Sequence, residues 1–164
     1  MQSKAMQPKA MQPKAMQPKT MKPNLADPRW ETVAWQDGFG VGHPVIDDDH
    51  RRLFELFNEF VTAVNQYRAD SEIQDVLAEF LDYTDTHFDR EETLMRQHGY
   101  PGYDAHKALH DSFIRQLHDV NSALDAGGEK GAFVLGFLAK WLSGHILGVD
   151  KTLGAYLREH GVEA

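Results

Sequence analysis

Apolar residues recur every three or four positions in four long segments of this chain, and this spacing constrains the fold more than any other feature. The second segment is the most regular and runs Ile73, Leu77, Phe80, Thr84, His87, Glu91, Leu94. Such spacing places the side chains along one face of an α-helix. The other three stripes start at His50, His106 and Val134. Four amphipathic helices predict an all-α protein in which each helix buries one face against the others.

Short turn-forming stretches separate the four segments. Residues 67–71, 97–102 and 126–129 read "YRADS", "QHGYPG" and "AGGE". Helices of roughly 20 to 28 residues joined by such short loops favour antiparallel neighbours. We therefore predict an up-down-up-down antiparallel four-helix bundle over residues 44–164. The aromatic-rich residues 25–43 are expected to form an N-terminal arm that packs on the bundle.

Residues 1–24 repeat a five-residue unit that contains methionine and lysine, as in "MQPKA". Proline in three successive repeats blocks a continuous helix, so we expect a flexible, disordered tail. The tail has five lysines and no acidic residue. It is interpreted as a solvated tail or, alternatively, as a docking arm for an acidic or membrane partner. Cu(I) binding or oxidant scavenging by the methionines are less favoured alternatives.

The composition excludes several classes of function. The chain has 17 lysines and arginines against 25 acidic residues, a formal charge of −8, which argues against nucleic acid as a partner. It has no cysteine, so any metal must be bound by histidine, aspartate or glutamate. The chain has no uninterrupted run of 18 apolar residues, which a membrane span would need, and the N-terminus lacks the apolar region of a secretory signal. We expect a soluble, cytoplasmic protein.

Six polar residues occupy positions that the periodicity assigns to the core: His50, His87, Glu91, His106, His110, His145. Burying such a side chain costs several kcal/mol unless it is paired or bound to a metal. A single one would be interpreted as a hydrogen-bonded core residue. In an antiparallel bundle, however, all six fall toward the same end. Their clustering predicts a metal site.

The spacing within two helices supports this prediction. His87 and Glu91, like His106 and His110, are four residues apart, which places each pair about 40° apart on one helix face. A His–Glu ion pair and a solvated His pair are the alternatives. Imidazoles and carboxylates without sulfur suit iron, zinc, copper or manganese. Because one tetrahedral ion takes only four ligands, two adjacent metals bridged by a carboxylate are favoured.

The motifs "IDDDHRRLF", "HFDREE", "HKALH" and "HILGVD" resemble the four ligand motifs of the bacterial hemerythrins, which are non-haem di-iron oxygen-binding proteins. The resemblance covers about residues 33–160. It implies two non-haem iron ions with an oxo or hydroxo bridge, and O₂ as their ligand. It assigns to one iron His106, His110 and His145. It assigns to the other His50 and His87, with bridges from Glu91 and Asp150.

Only the resemblance includes Asp150 among the ligands. Asp150 follows His145 by five residues, which is about 140° away on a regular helix. If it does bind metal, we expect a π-type widening near Gly148 or a side chain that reaches across the seam. Gly144 and Gly148 flank His145, and two explanations stay open for them: close helix approach, or a small channel to the vacant iron position.

The sequence also suggests which residues surround the site. The candidates for its apolar lining are Phe54, Phe88, Phe113, Trp141, Ile146 and Val149, although core packing alone would require most of them. The remaining histidines are expected at the surface: His43, His98, His118, His160. One of the aspartates at positions 47–49 is a candidate acceptor for a hydrogen bond from His50.

The resemblance implies reversible oxygen binding, for storage, delivery or sensing. The alternative is a di-iron redox enzyme (a peroxidase, an oxidase or a nitric-oxide-handling protein) on the same bundle. A structural zinc site would leave three of the seven ligands unexplained. Five imidazoles against two carboxylates favour an oxygen-binding protein over an enzyme, with at most slow peroxidase or oxidase activity. The expected partners are molecular oxygen and, through the basic tail, an oxygen-consuming enzyme or another acidic protein. A sensor usually needs an output domain, and because the sequence shows none, a stand-alone carrier is favoured over a sensor.

Overall fold

The computed structural model describes residues 29–123 and 130–162, and the side chains of all of these except 121–123 and 130. The long helices are α1 (Pro44–Asn65), α2 (Asp70–Gln97), α3 (Tyr103–Ala123) and α4 (Lys130–Gly144). A π-helical segment, His145–Asp150, joins α4 to α5 (Lys151–Glu159). Helix α1 packs against α2 and α4, and α3 packs against the same two helices. The predicted all-α four-helix bundle is therefore confirmed, while the repeat tail and the turn at 126–129 lie outside the described residues.

The core of the bundle consists of the apolar stripes that the sequence shows. Its fully buried aromatic side chains include Phe57 and Phe60 of α1, Phe80 of α2 and Phe113 of α3. From α4 it receives leucines at three- and four-residue spacing: Leu135, Leu138, Leu142. Burial of each such side chain contributes roughly 1.5–3 kcal/mol. These stripes hold the four helices at fixed depths and so place their polar positions side by side.

Residues 29–43 lie along α1 and end against α5. The side chain of Asn65 pairs with the backbone N–H and carbonyl of Trp30, at 3.0 and 2.9 Å. Asn58 pairs in the same way with Val33, at 2.7 and 2.8 Å. The amide groups thus satisfy backbone polar groups that would otherwise lack partners against the helix. At the other end of this segment, Val41 packs on α5 beside Gly154.

The sequence predicts a π-type widening of the helix if Asp150 faces the site, and the structure contains this widening. It covers His145–Asp150 and includes Gly148. A π-turn adds a residue to the helical turn, which rotates Asp150 toward the side occupied by His145. The carboxyl group of Asp150 is fully buried. The regular helix with a solvated Asp150, which would have contradicted the seven-residue site, is not what the structure shows.

The close-approach explanation for Gly144 and Gly148 is wrong. A Cβ atom added at either glycine would have nothing within 4 Å beyond its own helix. The close approach occurs instead at Gly154, where a Cβ atom would lie 2.3 Å from the carbonyl oxygen of Val41. The sequence does not distinguish these glycines because the difference depends on which helix face meets the residues 29–43.

One continuous helical stretch, Gly131–Glu159, is apolar and long enough to cross a membrane by length and composition alone. The core helix of a soluble protein meets the same criterion. This stretch supplies buried leucines to the bundle and carries the buried polar groups of His145 and Asp150. It is weak support for a membrane span, and its apolar character follows from its packing against α1 and α3.

Candidate metal centre

Seven buried side chains converge at one end of the bundle: the six that the periodicity singles out and Asp150, which the family resemblance adds. They form two groups in which one donor atom per residue lies within 4.8 Å of the others. The larger group contains Glu91, His106, His110, His145, Asp150. The smaller group contains His50, His87, Glu91, Asp150. The two carboxylates belong to both groups, as bridges between two metal ions would.

Each helix contributes to the cluster according to its direction. Helix α1 contributes His50 near its start, and α2 contributes His87 and Glu91 near its end. Helix α3 runs back and contributes His106 and His110 from its first turns. The π-helical segment contributes the remaining two residues. The antiparallel order therefore brings together residues that lie up to 100 positions apart in the sequence.

The three-histidine group has the spacing of ligands around one ion. The Nε2 atom of His145 lies 3.1 Å from that of His106 and 3.0 Å from that of His110. Asp150 Oδ1 lies 3.0 Å from His106 Nε2 and 3.1 Å from His145 Nε2. Donors about 2.1 Å from a metal and at right angles to one another are about 3 Å apart. These separations fit a single metal ion.

The two-histidine group is more open. His50 Nε2 lies 3.2 Å from Asp150 Oδ2, and His87 Nε2 lies 3.8 Å from Glu91 Oε2. Among the described residues, no hydrogen-bond partner is found for Nε2 of either histidine or for the carboxylate oxygens of Glu91 and Asp150. Unpaired buried polar groups are costly, and a cation would satisfy all of them at once. The residues present therefore fit two metal ions.

The electrostatics of the metal-free cluster keep both carboxylates ionised. Burial acts to raise the pKa of Asp150, but the facing histidines hold that pKa well below its usual range. Burial and the nearby Asp150 likewise oppose ionisation of Glu91, whereas His87, His106 and His110 lower its pKa below the ordinary value. Burial opposes the charged form of His106, yet the carboxylates of Asp150 and Glu91, 3.0 and 3.3 Å from its Nε2 atom, raise its pKa to about 9. The two ionised carboxylates are thus balanced by a protonated imidazole, whose charge a metal cation would replace.

Aromatic rings cover two of the imidazoles. Phe88 stacks on His110, with ring centroids 3.7 Å apart, and Trp141 stacks on His145 at 4.9 Å. Phe113 packs on Trp141, and Ile146 is fully buried in the core. Phe54, by contrast, packs on Phe39 and Trp35 of the N-terminal residues.

A cavity of about 340 Å³ opens between α3 and α4 on the His145 side of the cluster. Trp141, Gly144 and Val149 are among the residues that line it. Gly144 therefore borders open space, as the channel explanation requires, although this space adjoins the three-histidine group.

The structure corrects two expectations about neighbouring residues. His43, the residue before the first turn of α1, is buried rather than exposed, and burial lowers its pKa. Asp49, the buried aspartate of residues 47–49, faces His87 of α2 and not His50. Asp47 instead accepts hydrogen bonds from the backbone of Val41 and Gly42. His98, His118 and His160 are exposed as expected.

Glu92 is a site neighbour that the sequence reasoning missed. Its Oε1 atom lies 3.2 Å from His110 Nδ1. It follows Glu91 directly and so points about 100° away on the helix, toward α3. The only signal in the sequence is that a second acidic residue stands beside a core carboxylate.

Comparison with known proteins agrees with the geometry. Residues 41–157 match the family model described as the hemerythrin HHE cation binding domain. The bacteriohemerythrin of Pseudomonas aeruginosa is 38% identical over 118 residues, which cover 72% of this chain and 76% of that protein. The bacteriohemerythrin of Stenotrophomonas maltophilia is 35% identical, with 78% and 83% covered. The myohemerythrin of Sipunculus nudus is 29% identical, with 73% and 89% covered.

Proposed function

The chain belongs to the hemerythrin family, and we propose that it binds dioxygen reversibly at two non-haem iron ions held by the seven clustered side chains. The observation that carries the proposal is the overlap of the two donor groups, which share Glu91 and Asp150. Because both groups share two carboxylates, the arrangement suits two adjacent, bridged ions better than two independent metal sites. The relatives named bacteriohemerythrin and myohemerythrin support the same assignment.

The proposed ligands divide unequally between the two ions. Three imidazoles would hold one iron, from His106, His110 and His145, and two would hold the other, from His50 and His87. When bound, the iron pair supplies the electrons that reversible oxygen binding needs. The half with fewer protein donors is the one where an external ligand has room, so we place oxygen at the His50 and His87 side.

The protein itself would bind the two metal ions, orient their ligands and shield the site from water. The helices hold the donor atoms together in one cluster, and the π-helical segment brings Asp150 into it. Phe88 and Trp141 cover imidazole faces, and the buried Ile146 adds apolar packing. Exclusion of water and protons from such a site favours release of oxygen over its irreversible reduction.

The use that we propose is oxygen storage or delivery by a soluble protein. Five imidazoles with two carboxylates differ from the carboxylate-rich sites of ferritin-like di-iron enzymes. The basic repeat of residues 1–24 is the segment that we propose for contact with an acidic partner, such as an oxygen-consuming enzyme. A location in the cytoplasm remains a prediction from the sequence.

The proposal is tested by visible absorption of the iron-loaded, anaerobically reduced protein through one cycle of air followed by argon. Iron per chain is measured on the same sample. We expect about two irons per chain and an absorption band that appears in air and fades under argon. An irreversible ferric spectrum with turnover would instead identify a redox enzyme on the same site.

Two histidine variants serve as a matched pair for the ligand assignment. His145→Ala removes a donor from the three-histidine group and is expected to lower the iron content. His118→Ala changes an exposed histidine of α3 and is expected to keep two irons per chain. Equal iron content in the two variants would refute the assignment of His145 as a ligand.

A further inference from the structure

Two further carboxylates are buried directly behind the seven-residue cluster. Asp49 of α1 is 2% exposed and Glu92 of α2 is 9% exposed. The Oδ2 atom of Asp49 lies 3.7 Å from Nδ1 of His87, and the Oε1 atom of Glu92 lies 3.2 Å from Nδ1 of His110. In both cases the carboxylate faces the edge of the imidazole that points away from the metal position.

Each of these carboxylates is held from outside by cationic side chains at the surface. Asp49 accepts hydrogen bonds from the guanidinium of Arg90 and, at 2.8 Å, from the hydroxyl of Tyr83. Glu92 lies 3.7 Å from Lys107 Nζ and 3.8 Å from Arg96 Nη1. The order surface cation, buried carboxylate, imidazole, metal position therefore occurs twice.

The two arrangements act on different halves of the site. Asp49 stands behind His87 of the two-histidine group, and Glu92 stands behind His110 of the three-histidine group. His110 Nδ1 is within hydrogen-bond distance of Glu92, whereas His87 Nδ1 has a carboxylate only at the ion-pair distance of 3.7 Å. Nδ1 of His50 and Nδ1 of His106 are buried, and among the described residues no ion pair to either atom is found. Each half thus contains at least one histidine backed by a carboxylate and one that is not.

We propose that Asp49 and Glu92 are positioning residues, each of which tunes one metal ion separately. An imidazole that donates Nδ1–H to a carboxylate keeps the tautomer whose Nε2 lone pair faces the metal, and it becomes a stronger donor. Glu92 acts in this way on the three-histidine ion through its hydrogen bond with His110. The charge of Asp49, 3.7 Å from His87 Nδ1, acts on the His87 side, where the proposed function places oxygen. This inference rests on the proposed function.

The two carboxylates are held differently: Glu92 has its hydrogen bond with the imidazole of His110, whereas Asp49 is hydrogen-bonded to its outer partners. Its carboxylate is fixed by two direct donors from α2, at positions 83 and 90, while His87 lies between them on the same helix. Glu92 has only longer ion pairs to its cations. Loss of the Asp49 charge is expected to weaken iron binding at the His87 half by 10- to 100-fold, the range seen for such partners in metal sites.

The test compares Asp49→Asn and Glu92→Gln with Asp48→Asn, which changes an adjacent exposed aspartate that pairs with Arg51 at the surface. All are loaded anaerobically with ⁵⁷Fe(II), and Mössbauer spectra are recorded. The second readout is the rate of iron loss to a chelator. We expect Asp49→Asn to shift one iron signal and release one iron faster. Glu92→Gln should act on the other signal, and Asp48→Asn should leave both as in the wild type.

The outcomes separate this inference from the proposed function. If Asp49→Asn and Glu92→Gln change the same signal, or change neither, separate tuning is overturned, while a wild-type protein with two irons and reversible oxygen binding keeps the proposed function. If the wild type fails to hold two irons per chain, the proposed function fails instead. Far-ultraviolet circular dichroism of each variant distinguishes a local effect from loss of the fold.

Discussion

Replacing Gly154 with alanine is expected to weaken the docking of residues 29–43 on α5. The new Cβ atom would lie 2.3 Å from the carbonyl oxygen of Val41 and 2.7 Å from Val41 Cβ. Because the favourable separation of non-bonded heavy atoms is about 3.5 Å, the segment around Val41 must move by roughly 1 Å. The same carbonyl accepts a hydrogen bond from Arg158, which the movement would also disturb.

The magnitude follows from two opposing terms. Overpacking of this kind costs about 1–3 kcal/mol, whereas alanine in a helix is about 1 kcal/mol more favourable than glycine. Gly144→Ala provides the matched control, since its Cβ would meet nothing within 4 Å and its backbone is helical. The helix-propensity gain is common to both variants. Their difference in unfolding free energy, about 1–3 kcal/mol, therefore isolates the steric contact.

The assay is urea unfolding of the metal-free proteins, followed by circular dichroism. With a slope of about 1.5 kcal/mol per molar urea, the midpoints of the two variants should differ by about 1 M, with Gly154→Ala the lower. If Gly154→Ala is as stable as Gly144→Ala, the close packing of Val41 on α5 does not contribute to stability and the reasoning is refuted.

Three further predictions concern the metal-free cluster, the core and the N-terminal residues. The pKa of His106 rises from 6.5 to about 9 on folding, so its stabilising effect is complete below pH 6.5 and is lost as the pH rises through 9. The stability difference between wild type and His106→Asn should therefore be about 3 kcal/mol larger at pH 6 than at pH 10 in urea unfolding, and a pH-independent difference would contradict this. Leu135→Ala empties a fully buried position and should lower the unfolding free energy by about 2–5 kcal/mol while iron per chain stays the same. Asn58→Ala removes both hydrogen bonds to Val33 and should speed proteolysis within residues 29–43; cleavage at the wild-type rate would show that these bonds do not hold the segment.

Local sequence signals were sufficient for the helices and for most of the clustered residues. The three- and four-residue spacing of apolar side chains depends only on helix geometry, so it identifies the buried faces without tertiary information. Histidines on those faces, such as His50 and His145, stand out because core positions are usually occupied by apolar residues. Asp150 does not follow from that periodicity. Its place in the cluster came from the family resemblance, and the expected widening of the helix followed from it.

Contacts between elements decided what the sequence left open. Whether Asp49 faces His50 or His87, and whether Glu92 reaches His110, depends on how α1, α2 and α3 are rotated against one another, which no local pattern encodes. The same holds for His43, which the packing buries, and for the glycines, since among those that the structure describes Gly154 alone closely meets the backbone of another segment. Periodicity determines which face of each helix is buried because it is a property of one helix. The partner of each buried group is a property of two helices, so only the assembled bundle determines it.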